Sequence, residues 1–465
     1  MVSVRSRLAS LVTKHQSSTM RLDTFGVGRN DEPVVMTTSL RERRDRAFGS
    51  GAPLFYADPV HIVAGEGVWL TAADGRRYLD MYNNVPCVGH ANPHVVEAMH
   101  TQAQTLNVHS RYLHEGVVRY AERVTGLHAE PIDSVVFTCS GTEASEVALM
   151  TARAVTGGTG IIATTASYHG NSTEVRKLSY SRTRNDKVDP NIRFVPYPQR
   201  FRADRPDADD ASLTEHYLKQ LDETIQSFAD DGIQFAGVMM CSILANEGLP
   251  DIPLGYMSRA AAMTREAGGI FIADEVQAGF GRTGSWWGYE VTDFMPDIVT
   301  MGKPMGNGLP LAAAAANSEL LDMFRSRTGY FNTFASSPLQ AAVGNAVIDV
   351  IEEQNLLASV TTTGEYLRTQ LQTLAQRCAQ MGDVRGHGLF CGVDWVEDTE
   401  SRAPDVDGAI SIVNALRRRG FLISNAGELR NVLKIRPPLV FDKSHADLFL
   451  SAFEETLSDA GLLAS

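Results

Sequence analysis

The sequence predicts an α/β protein with two domains, and three observations lead to this prediction. From about Val135, short apolar runs alternate with stretches of helical periodicity. Such alternation is typical of a mostly parallel sheet with helices on both faces. After Phe334 the alternation stops and a different pattern begins. The chain also has 465 residues, more than a single hydrophobic core usually organises.

The strands of the larger domain are predicted along the middle of the chain. Six apolar runs are strand candidates, at residues 135–137, 160–163, 193–196, 236–240, 270–273 and 298–301. The stretch at residues 255–269 has the periodicity of an amphipathic helix. In sheets of this kind ligands bind beyond the carboxyl ends of the strands. The residues that follow each run are therefore candidates for a functional site.

The residues on either side of this sheet predict a smaller α+β domain. Residues 68–80 are predicted to form a hairpin that turns at Asp74 and Gly75. Beyond Phe334 the pattern predicts helices at 336–356, 363–382 and 409–419, and strands at 388–396, 421–424 and 432–435. We therefore expect an N-terminal extension at residues 1–35, the first segment of the small domain at 36–80, the large domain at 81–335 and the remainder of the small domain at 336–465.

Composition and charge exclude several classes of function. The chain is 43% hydrophobic and 21% charged, which is ordinary for a globular protein. Its net charge of -13 argues against a nucleic acid or an anionic membrane as the main partner. The five cysteines are scattered without C-x-x-C spacing, and the histidines form no zinc pattern, so we expect no metal site.

The N-terminal residues have a composition that bears on where the protein is located in the cell. Residues 1–22 contain four basic residues and several serines, and no acidic residue precedes Asp23. This composition resembles a mitochondrial transit peptide, although we favour a mobile bacterial N-terminal extension as its explanation. We expect a cytoplasmic protein, with the mitochondrial matrix as the alternative. No apolar run approaches the roughly 20 residues that span a bilayer.

The stretch IADEVQAGFGRTG, residues 272–284, contains the spacing G-x-G-x-x-G of a dinucleotide-binding turn. That turn requires its first glycine directly after a strand and its third inside a new helix. Here five residues separate the apolar run from Gly279, and the residues after Gly284 do not resemble a helix start. The spacing therefore does not indicate a nicotinamide site.

Two of the predicted strands end in residues with complementary chemistry. Asp274 and Glu275 follow the run 270–273, and Lys303 follows the run 298–301 after one glycine. Apolar neighbours desolvate Lys303, which lowers the pKa of a lysine and favours its use as a nucleophile or base. Lys303 and Asp274 together fit a Schiff base to pyridoxal phosphate and an acid on its pyridinium nitrogen. Alone, the acid could equally bind a metal or cap a turn.

A phosphate site and a ring-stacking residue follow two further strands. Ser140, Gly141 and Thr142 open a helix, and the free N–H groups and positive dipole end of a helix bind phosphate well. Serine and threonine are also ordinary helix caps, so this signal alone is weak. Tyr168, in the stretch ASYHGNS, could lie flat on an aromatic ring.

These four stretches, in this order, resemble the class III (ornithine/ω-type) aminotransferases. The resemblance implies pyridoxal 5'-phosphate as the cofactor and the aspartate aminotransferase-like fold (fold type I). Its large domain would hold a mostly parallel seven-stranded sheet, and its smaller α+β domain would combine N- and C-terminal segments. The similarity runs from about Leu54 to near the C-terminus.

The resemblance also implies roles for individual residues. Lys303 would form the Schiff base and move the proton, and Asp274 would keep the pyridine nitrogen protonated. The residues implied to bind the cofactor are Ser140, Gly141, Thr142, Tyr168, His169, Asp274, Val276, Gln277, Lys303 and Thr333. Tyr168 would stack on the ring opposite Val276, and Gln277 would reach the phenolic oxygen. Thr333 would reach the phosphate of a neighbouring subunit, which implies a homodimer with shared active sites, or a tetramer.

Two reactions are consistent with the nearest branch of the family. That branch resembles both the alanine–glyoxylate aminotransferase 2 type and the phospholyases of phosphorylated amino alcohols. The leading prediction is transamination, from an amino acid, ω-amino or diamino compound to pyruvate, glyoxylate or 2-oxoglutarate. The alternative is elimination on the same scaffold, releasing ammonia with or without phosphate. A protein that retains the cofactor but not catalysis is disfavoured because Lys303 and Asp274 are both present.

The sequence indicates the substrate-binding residues less clearly than the cofactor-binding residues. Lys434 stands at the family's usual carboxylate-binding arginine, and Arg436 follows two residues later, on the same side of a predicted strand. Arg111 is a third anion-binding candidate, and a solvated basic pair is the alternative for Lys434 and Arg436. The acidic substrate-side stretch of ornithine-type members is replaced by a segment with Ser242 in place of the first glutamate. Glu247 could occupy the later acidic position or only cap the turn.

Overall fold

The computed structural model describes residues 39–179, 189–205 and 208–464. The chain divides into two compact units, Met1–Leu54 and Phe55–Ser465. In the first unit the described residues form helix α1, Leu40–Phe48, which begins with a capping box between Ser39 and Glu42. The basic segment considered for targeting lies outside the described residues. The domain boundaries predicted at residues 80 and 335 fall inside the second unit and stay predictions.

The strands of the second unit form three sheets among the described residues. In chain order they are β1 (Ile62–Glu66), β2 (Trp69–Ala72), β3 (Arg77–Asp80), β4 (Ser134–Thr138), β5 (Gly160–Thr164), β6 (Ile192–Val195), β7 (Phe235–Cys241), β8 (Ile270–Asp274), β9 (Ile298–Met301), β10 (Ala312–Ala316), β11 (Met381–His387), β12 (Phe390–Trp395), β13 (Phe421–Leu422), β14 (Ser424–Ala426) and β15 (Val432–Ile435). The six predicted strands of the large domain are confirmed as β4 to β9, with ends that differ by at most one residue.

Helices connect and cover these strands. In chain order they are α2 (Pro93–Thr105), α3 (Glu115–Gly126), α4 (Gly141–Thr156), α5 (Thr173–Arg176), α6 (Asp210–Asp230), α7 (Tyr256–Glu266), α8 (Gly288–Val291), α9 (Ser318–Thr328), α10 (Pro338–Glu353), α11 (Leu356–Ala375), α12 (Val406–Arg419) and α13 (Lys443–Asp459). None of the described helices is long and apolar enough to cross a membrane.

The largest sheet has seven strands in the order β4-β10-β9-β8-β7-β5-β6. Strands β5 to β9 pair in parallel, whereas β10 runs antiparallel to both β4 and β9. Both faces are covered, because neighbouring residues such as Ile161 and Ile162 contribute to different buried clusters. The predicted α/β fold with a mostly parallel seven-stranded sheet is confirmed.

Strand β10 was not predicted from the sequence, because the strand consists of five alanines. Alanine has a low strand propensity, so its side chain does not mark a strand locally. All five alanines are nevertheless fully buried between β4 and β9, and helix α4 packs against them. Tertiary packing, rather than local propensity, therefore makes this segment a strand.

The two smaller sheets combine early and late parts of the second unit. The predicted hairpin is β2 and β3, and Gly75 takes a positive φ of 83° in its turn. The single strand predicted at 421–424 divides at Ile423. Its first half, β13, pairs in parallel with β3, and its second half, β14, pairs with β15. The chain here passes from one sheet to the other, which local periodicity does not reveal.

The helix predicted at residues 363–382 was wrong at its C-terminal end. Helix α11 ends at Ala375, and Met381–His387 form strand β11. These residues pair antiparallel with β12, so contacts between strands determine their conformation. Gly386 has a φ of 132°, which a helix does not accommodate.

Candidate active site

The carboxyl ends of β5, β7, β8 and β9 lie along one edge of the seven-stranded sheet. Asp274 is the last residue of β8, where it faces Cys241 on β7 and Thr300 on β9. Lys303 follows β9 after one glycine and opens a short 3-10 turn, Lys303–Gly306. The loop after β5 carries Tyr168 and His169. The fold therefore brings four of the predicted site residues to one edge.

The carboxylate of Asp274 is buried and held from two sides. The exposed fraction of Asp274 is 5%. Its Oδ2 lies 2.7 Å from Nδ1 of His169, and its Oδ1 accepts a hydrogen bond of 3.0 Å from the backbone N–H of Val276. An ionised carboxylate has no hydrogen to give, so Nδ1 of His169 is the donor. Asp274 is thus oriented to meet a positive group in the site.

Lys303 is partly buried at the edge of the sheet. Burial lowers the pKa of its ammonium group, and the charge of Arg436 lowers it further, while Asp274 acts in the opposite direction. Because a lowered pKa increases the fraction of free amine near neutral pH, Lys303 is suited to act as a nucleophile and as a base.

Glu275 has a different function from its neighbour Asp274. Its two carboxylate oxygens accept hydrogen bonds of 2.8 Å from the backbone N–H groups of Gly288 and Tyr289, at the start of α8. Residues 276–284 form turns, and Gly281 has a φ of 84°. No helix begins at Gly284, so the geometry agrees with rejection of a dinucleotide turn. Only Asp274 of the acidic pair belongs to the site.

The N-terminus of α4 lies beside Lys303 in a narrow cleft. Ser140 caps the helix by accepting a hydrogen bond from the N–H of Glu143, and Gly141 is its first residue. A Cβ atom at Gly141 would lie 3.1 Å from both methyl groups of Val276, and one at Gly302 would lie 3.4 Å from the N–H of Gly141. The glycines keep this helix end open, as a phosphate-binding site requires.

A cavity of about 450 Å³ opens next to these residues. Its wall includes Tyr82, Tyr168, Gln277, Lys303, Lys434 and Arg436. Lys434 donates hydrogen bonds to the carbonyl of Ala245 at 2.8 Å and to Oε1 of Gln277 at 3.2 Å. Arg436 donates to the carbonyl of Tyr82 at 2.8 Å and also to Oε1 of Gln277. Both predicted cations therefore converge on one amide oxygen beside Lys303.

Lys434 and Arg436 are buried without a carboxylate partner. Their exposed fractions are 3% and 7%, and neither forms an ion pair within 4.0 Å with any acidic residue that the structure describes. Burial lowers the pKa of both side chains, and Arg436 and Lys303 further lower that of Lys434. A lysine and an arginine without a carboxylate partner at the wall of a cavity form a candidate site for an anion, whose charge would favour their protonated forms. This arrangement is not the solvated basic pair considered as an alternative.

The structure does not bring Arg111 or Thr333 to this cavity within one chain. Both residues are exposed. The guanidinium group of Arg111 lies over the ring of Phe331, 4.2 Å from its centroid. Next to Thr333, Asn332 donates a hydrogen bond of 3.1 Å to Glu143 in the first turn of α4. The contributions of Arg111 and Thr333 to binding stay predictions.

Sequence reasoning assigned no function to Tyr82 or Asn246, which also form the wall of the cavity. Asn246 accepts a hydrogen bond of 3.1 Å from Gln277 and donates one of 3.2 Å to the carbonyl of Tyr168. Its position after the end of β7 is a signal that could have identified it. Tyr82 meets Arg436 across more than 350 residues of sequence, so no local pattern indicates that contact.

One cluster in the site has the composition of a metal site. Ligand-type atoms of His169, Cys241 and Asp274 all lie within 4.8 Å of one another. Burial raises the pKa of the Cys241 thiol well above its usual value, with Asp274 raising it further, so it stays protonated at neutral pH. A metal is bound by the thiolate rather than the thiol. The cluster is better suited to hold the carboxylate of Asp274 in place.

Comparisons with known proteins agree with this geometry. The aminotransferase class-III family matches residues 56–457. Alanine–glyoxylate aminotransferase 2-like from Drosophila melanogaster is 36% identical over 427 residues, covering 89% of this chain and 86% of that protein. Ethanolamine-phosphate phospho-lyase homolog 1 from Caenorhabditis elegans is 34% identical over 436 residues, covering 90% and 92%. A solved Arthrobacter phospholyase in complex with phosphoethanolamine has a TM-score of 0.87 and 42% identity, covering 90% of this chain and 99% of that one.

The residues present fit the cofactor that this family uses. A desolvated lysine, a buried and oriented carboxylate and an open helix N-terminus lie together at the edge of the sheet. These are the groups that pyridoxal phosphate requires for its aldehyde, its ring nitrogen and its phosphate. The chain belongs to the class-III aminotransferases and is a pyridoxal-phosphate-dependent enzyme.

Proposed function

We propose that the enzyme is a phospho-lyase that removes phosphate and ammonia from a small phosphorylated amino alcohol. The observation that carries the proposal is the pair Lys434 and Arg436, buried beside Lys303 without a carboxylate partner among the described residues. A phosphate ester carries up to two negative charges and three acceptor oxygens. Two cations at one wall match that charge better than they match a single carboxylate.

Hydrogen bonding in the pocket supports an anionic ligand. Arg436 is held by Tyr82 and Gln277, and Lys434 by Ala245 and Gln277, so both side chains are oriented before a ligand arrives. Burial lowers the pKa of Lys434 and thereby disfavours its charge. A bound phosphate would reverse this effect because an opposite charge stabilises the ammonium form. Because the side chains are already ordered, a charged ligand can bind without the entropic cost of ordering them.

We assign the cofactor contacts to residues at the strand ends. Asp274, held by His169, would pair with the ring nitrogen. The helix end at Ser140, Gly141 and Thr142 would take the cofactor phosphate. Tyr168 would cover one face of the ring and Val276 the other. Gln277 would reach the phenolic oxygen from the same position at which it contacts Lys434 and Arg436.

The chain supplies the acid–base chemistry through Lys303. Bound pyridoxal phosphate supplies an electron sink that makes the C–H bond next to the substrate nitrogen acidic. Lys303 removes that proton. The C–O bond of the neighbouring carbon then breaks, and phosphate leaves with the bonding electrons towards Lys434 and Arg436. Addition of one water to the remaining unsaturated product yields an oxo compound and ammonia, which balances the reaction.

Similarity supports the same substrate class. The Arthrobacter protein, 42% identical to this chain, is a phospholyase in complex with phosphoethanolamine. The Caenorhabditis elegans relative is a homologue of ethanolamine-phosphate phospho-lyase. Phosphoethanolamine is therefore the first substrate to test.

Transamination is the second candidate. The Drosophila melanogaster relative is alanine–glyoxylate aminotransferase 2-like. In that reaction Lys303 would return the proton to the cofactor rather than allow a leaving group to depart. Lys434 and Arg436 would then bind the carboxylates of the amino donor and of the 2-oxo acid.

The experiment that separates the candidates follows phosphate and ammonia release from phosphoethanolamine by the holoenzyme. A phospho-lyase releases both in equal amounts over many turnovers without a 2-oxo acid. A transaminase stalls after one turnover unless pyruvate, glyoxylate or 2-oxoglutarate is added, and it then forms the corresponding amino acid. Turnover that depends on the oxo acid would overturn the proposed phospho-lyase.

Lys303→Ala tests the assignment that both candidates share. We expect the variant to lose turnover and the visible absorbance of the covalently attached cofactor, because no other residue replaces the amine. Lys443→Ala, an exposed lysine on α13, serves as the matched control. Undiminished activity in Lys303→Ala would show that the reactive lysine lies elsewhere.

A further inference from the structure

The glycine-rich loop at residues 279–284 follows β8 but does not line the cavity. It passes close to helix α11 and to the residues after β15. A Cβ atom at Gly281 would lie 3.0 Å from Leu357 on α11 and 3.2 Å from Leu439, and Gly281 has a φ of 84°. Glycine tolerates both the close approach and the positive φ. The loop can therefore bring the side chain of Arg282 into the interior, next to the end of β15.

Arg282 is buried and binds two backbone carbonyl groups. Its exposed fraction is 2%. Its Nη1 group donates a hydrogen bond of 3.2 Å to the carbonyl of Leu389, in the turn between β11 and β12, and another to the carbonyl of Pro437. The N–H of Leu389 donates back to the carbonyl of Arg282 at 3.2 Å. Because Pro437 directly follows Arg436, the guanidinium group joins the glycine-rich loop to the backbone next to Arg436.

The guanidinium group of Arg282 has no carboxylate partner. It forms no ion pair within 4.0 Å with any acidic residue in the parts of the chain that the structure describes. Burial and the charge of Arg436 lower its pKa to about 9, although Cys87 and Asp80 act in the opposite direction. The group is therefore mostly protonated at neutral pH. A buried charge is costly, so the contacts that it makes require an explanation.

The backbone on the C-terminal side of Arg436 has few groups that can hold it. Strand β15 ends one residue before Arg436. The N–H of Arg436 donates a hydrogen bond of 2.8 Å to the carbonyl of Met81, which fixes the residue on its N-terminal side. The next two residues, Pro437 and Pro438, have no N–H to donate. The hydrogen bond from Arg282 to the carbonyl of Pro437 therefore fixes the other side of Arg436.

We propose that Arg282 is a positioning residue for the anion site: its hydrogen bond to Pro437 directs the guanidinium group of Arg436 into the cavity. Arg282 does not line the cavity, so it acts through Arg436 rather than on the substrate. The same loop continues from Asp274, so the contact also links the strand that would serve the cofactor to the strand end that would bind the substrate. The inference rests on the proposed anion site and holds whether the anion is a phosphate or a carboxylate.

The test measures the binding of inorganic phosphate to the holoenzyme, whose cofactor already fills its own phosphate site, by isothermal titration calorimetry. Arg282→Met removes the charge and both hydrogen bonds. We expect it to raise the Kd of phosphate and KM for phosphoethanolamine about tenfold, because a displaced guanidinium group binds the anion less well. Its kcat and the Kd of the cofactor should stay close to the wild type, whereas a general loss of structure would impair both. Arg282→Lys, which can still donate to both carbonyls, should restore most of the phosphate affinity.

A double-mutant cycle tests whether Arg282 acts through Arg436. Arg436→Met should raise the Kd of phosphate by itself, and Arg282→Met in the same chain should raise it no further, because the side chain that Arg282 positions is gone. Arg368→Met is the matched control. Arg368 is partly buried on α11, donates a hydrogen bond of 3.2 Å to the carbonyl of Gly386 in the same hairpin and does not line the cavity. This variant should bind phosphate like the wild type.

An unchanged Kd of phosphate in Arg282→Met, or independent effects of the two substitutions in the cycle, would overturn the inference. If Arg282→Met does not fold, Arg282→Gln takes its place, because glutamine keeps a donor in the interior but not the charge or the length of arginine. The same rise in Kd is expected, and an unchanged Kd counts equally against the inference. Absence of phosphate binding, or equal affinity in the wild type and Arg436→Met, would instead contradict the proposed anion site itself.

Discussion

The side-chain amide of Gln277 joins the two halves of the site. Its oxygen accepts hydrogen bonds from both Lys434 and Arg436, and its nitrogen donates to Asn246. One neutral amide oxygen cannot neutralise two cations. At the scale of single residues, the proposed substrate selection therefore depends on Lys434 and Arg436, which have no carboxylate partner among the described residues.

Removal of one of these cations should weaken substrate binding. Arg436→Met retains an unbranched side chain of similar length but loses the charge and the hydrogen bonds. A charge-assisted hydrogen bond contributes about 1.5 to 3 kcal/mol, so we expect KM for phosphoethanolamine to rise about 10- to 100-fold. Lys434→Met should act in the same direction.

The control for these variants is Arg259→Met. Arg259 is exposed on α7 and pairs with Glu215, away from the cavity. Steady-state kinetics should give wild-type KM for this variant. If KM for phosphoethanolamine does not change in Arg436→Met or Lys434→Met, the phosphate does not bind between these cations.

At the scale of elements, the site is a set of strand ends and one helix end. Asp274, Lys303 and the loop with Tyr168 each follow a parallel strand, and α4 begins where β4 ends. Because the strands are parallel, their carboxyl ends meet at one edge, and residues far apart in sequence become neighbours. The sequence predicted these positions because each of the residues comes directly after, or soon after, a short apolar run.

The glycine at the start of α4 gives a prediction at this scale. Gly141→Ala would place a Cβ atom 3.1 Å from the methyl groups of Val276. Overpacking of this kind costs about 1 to 3 kcal/mol, so we expect the Kd of the cofactor to rise about tenfold or more. Equilibrium dialysis followed by absorbance measures the change.

Val276→Ala in the same chain should restore part of the affinity, because it removes the methyl groups that the new Cβ atom meets. Gly126→Ala, at the end of α3, is the control, since nothing lies within 4 Å of a Cβ atom there. Wild-type cofactor affinity in Gly141→Ala would mean that this helix end does not hold the cofactor.

At the scale of the whole molecule, the second unit exposes large apolar side chains near Arg111 and Thr333. Leu113 is 99% exposed, Phe334 77% and Tyr112 64%. Exposed apolar groups of this size often mark an interface between proteins. They support the predicted homodimer, in which Thr333 and Arg111 could reach the active site of the partner.

We expect the protein to sediment with a mass about twice the 50.7 kDa of one chain. Leu113→Asp combined with Phe334→Asp should shift the mass towards the monomer, because burying two carboxylates in an interface is costly. Leu254→Asp, at a residue that is 78% exposed elsewhere, should leave the mass unchanged. A wild-type protein that sediments as a monomer would contradict the shared active site.

The sequence by itself determined the fold class and the order of the parallel strands along the chain, and it predicted pyridoxal phosphate as the cofactor, with Lys303 and Asp274 as the residues that would serve it. These features follow from local patterns, because an apolar run and the residues after it are adjacent in sequence. It missed β10, whose alanines carry no local strand signal, and it joined β13 to β14.

Only the tertiary structure decided which polar side chains meet. It directed Lys434 and Arg436 at the side-chain oxygen of Gln277, left Arg111 on the surface of its own chain, and placed Glu247 in a turn where it accepts a hydrogen bond from Thr164. These contacts join residues on different sheets and loops, separated by tens to hundreds of positions. Their geometry depends on how whole elements pack, which periodicity and spacing along one segment do not specify.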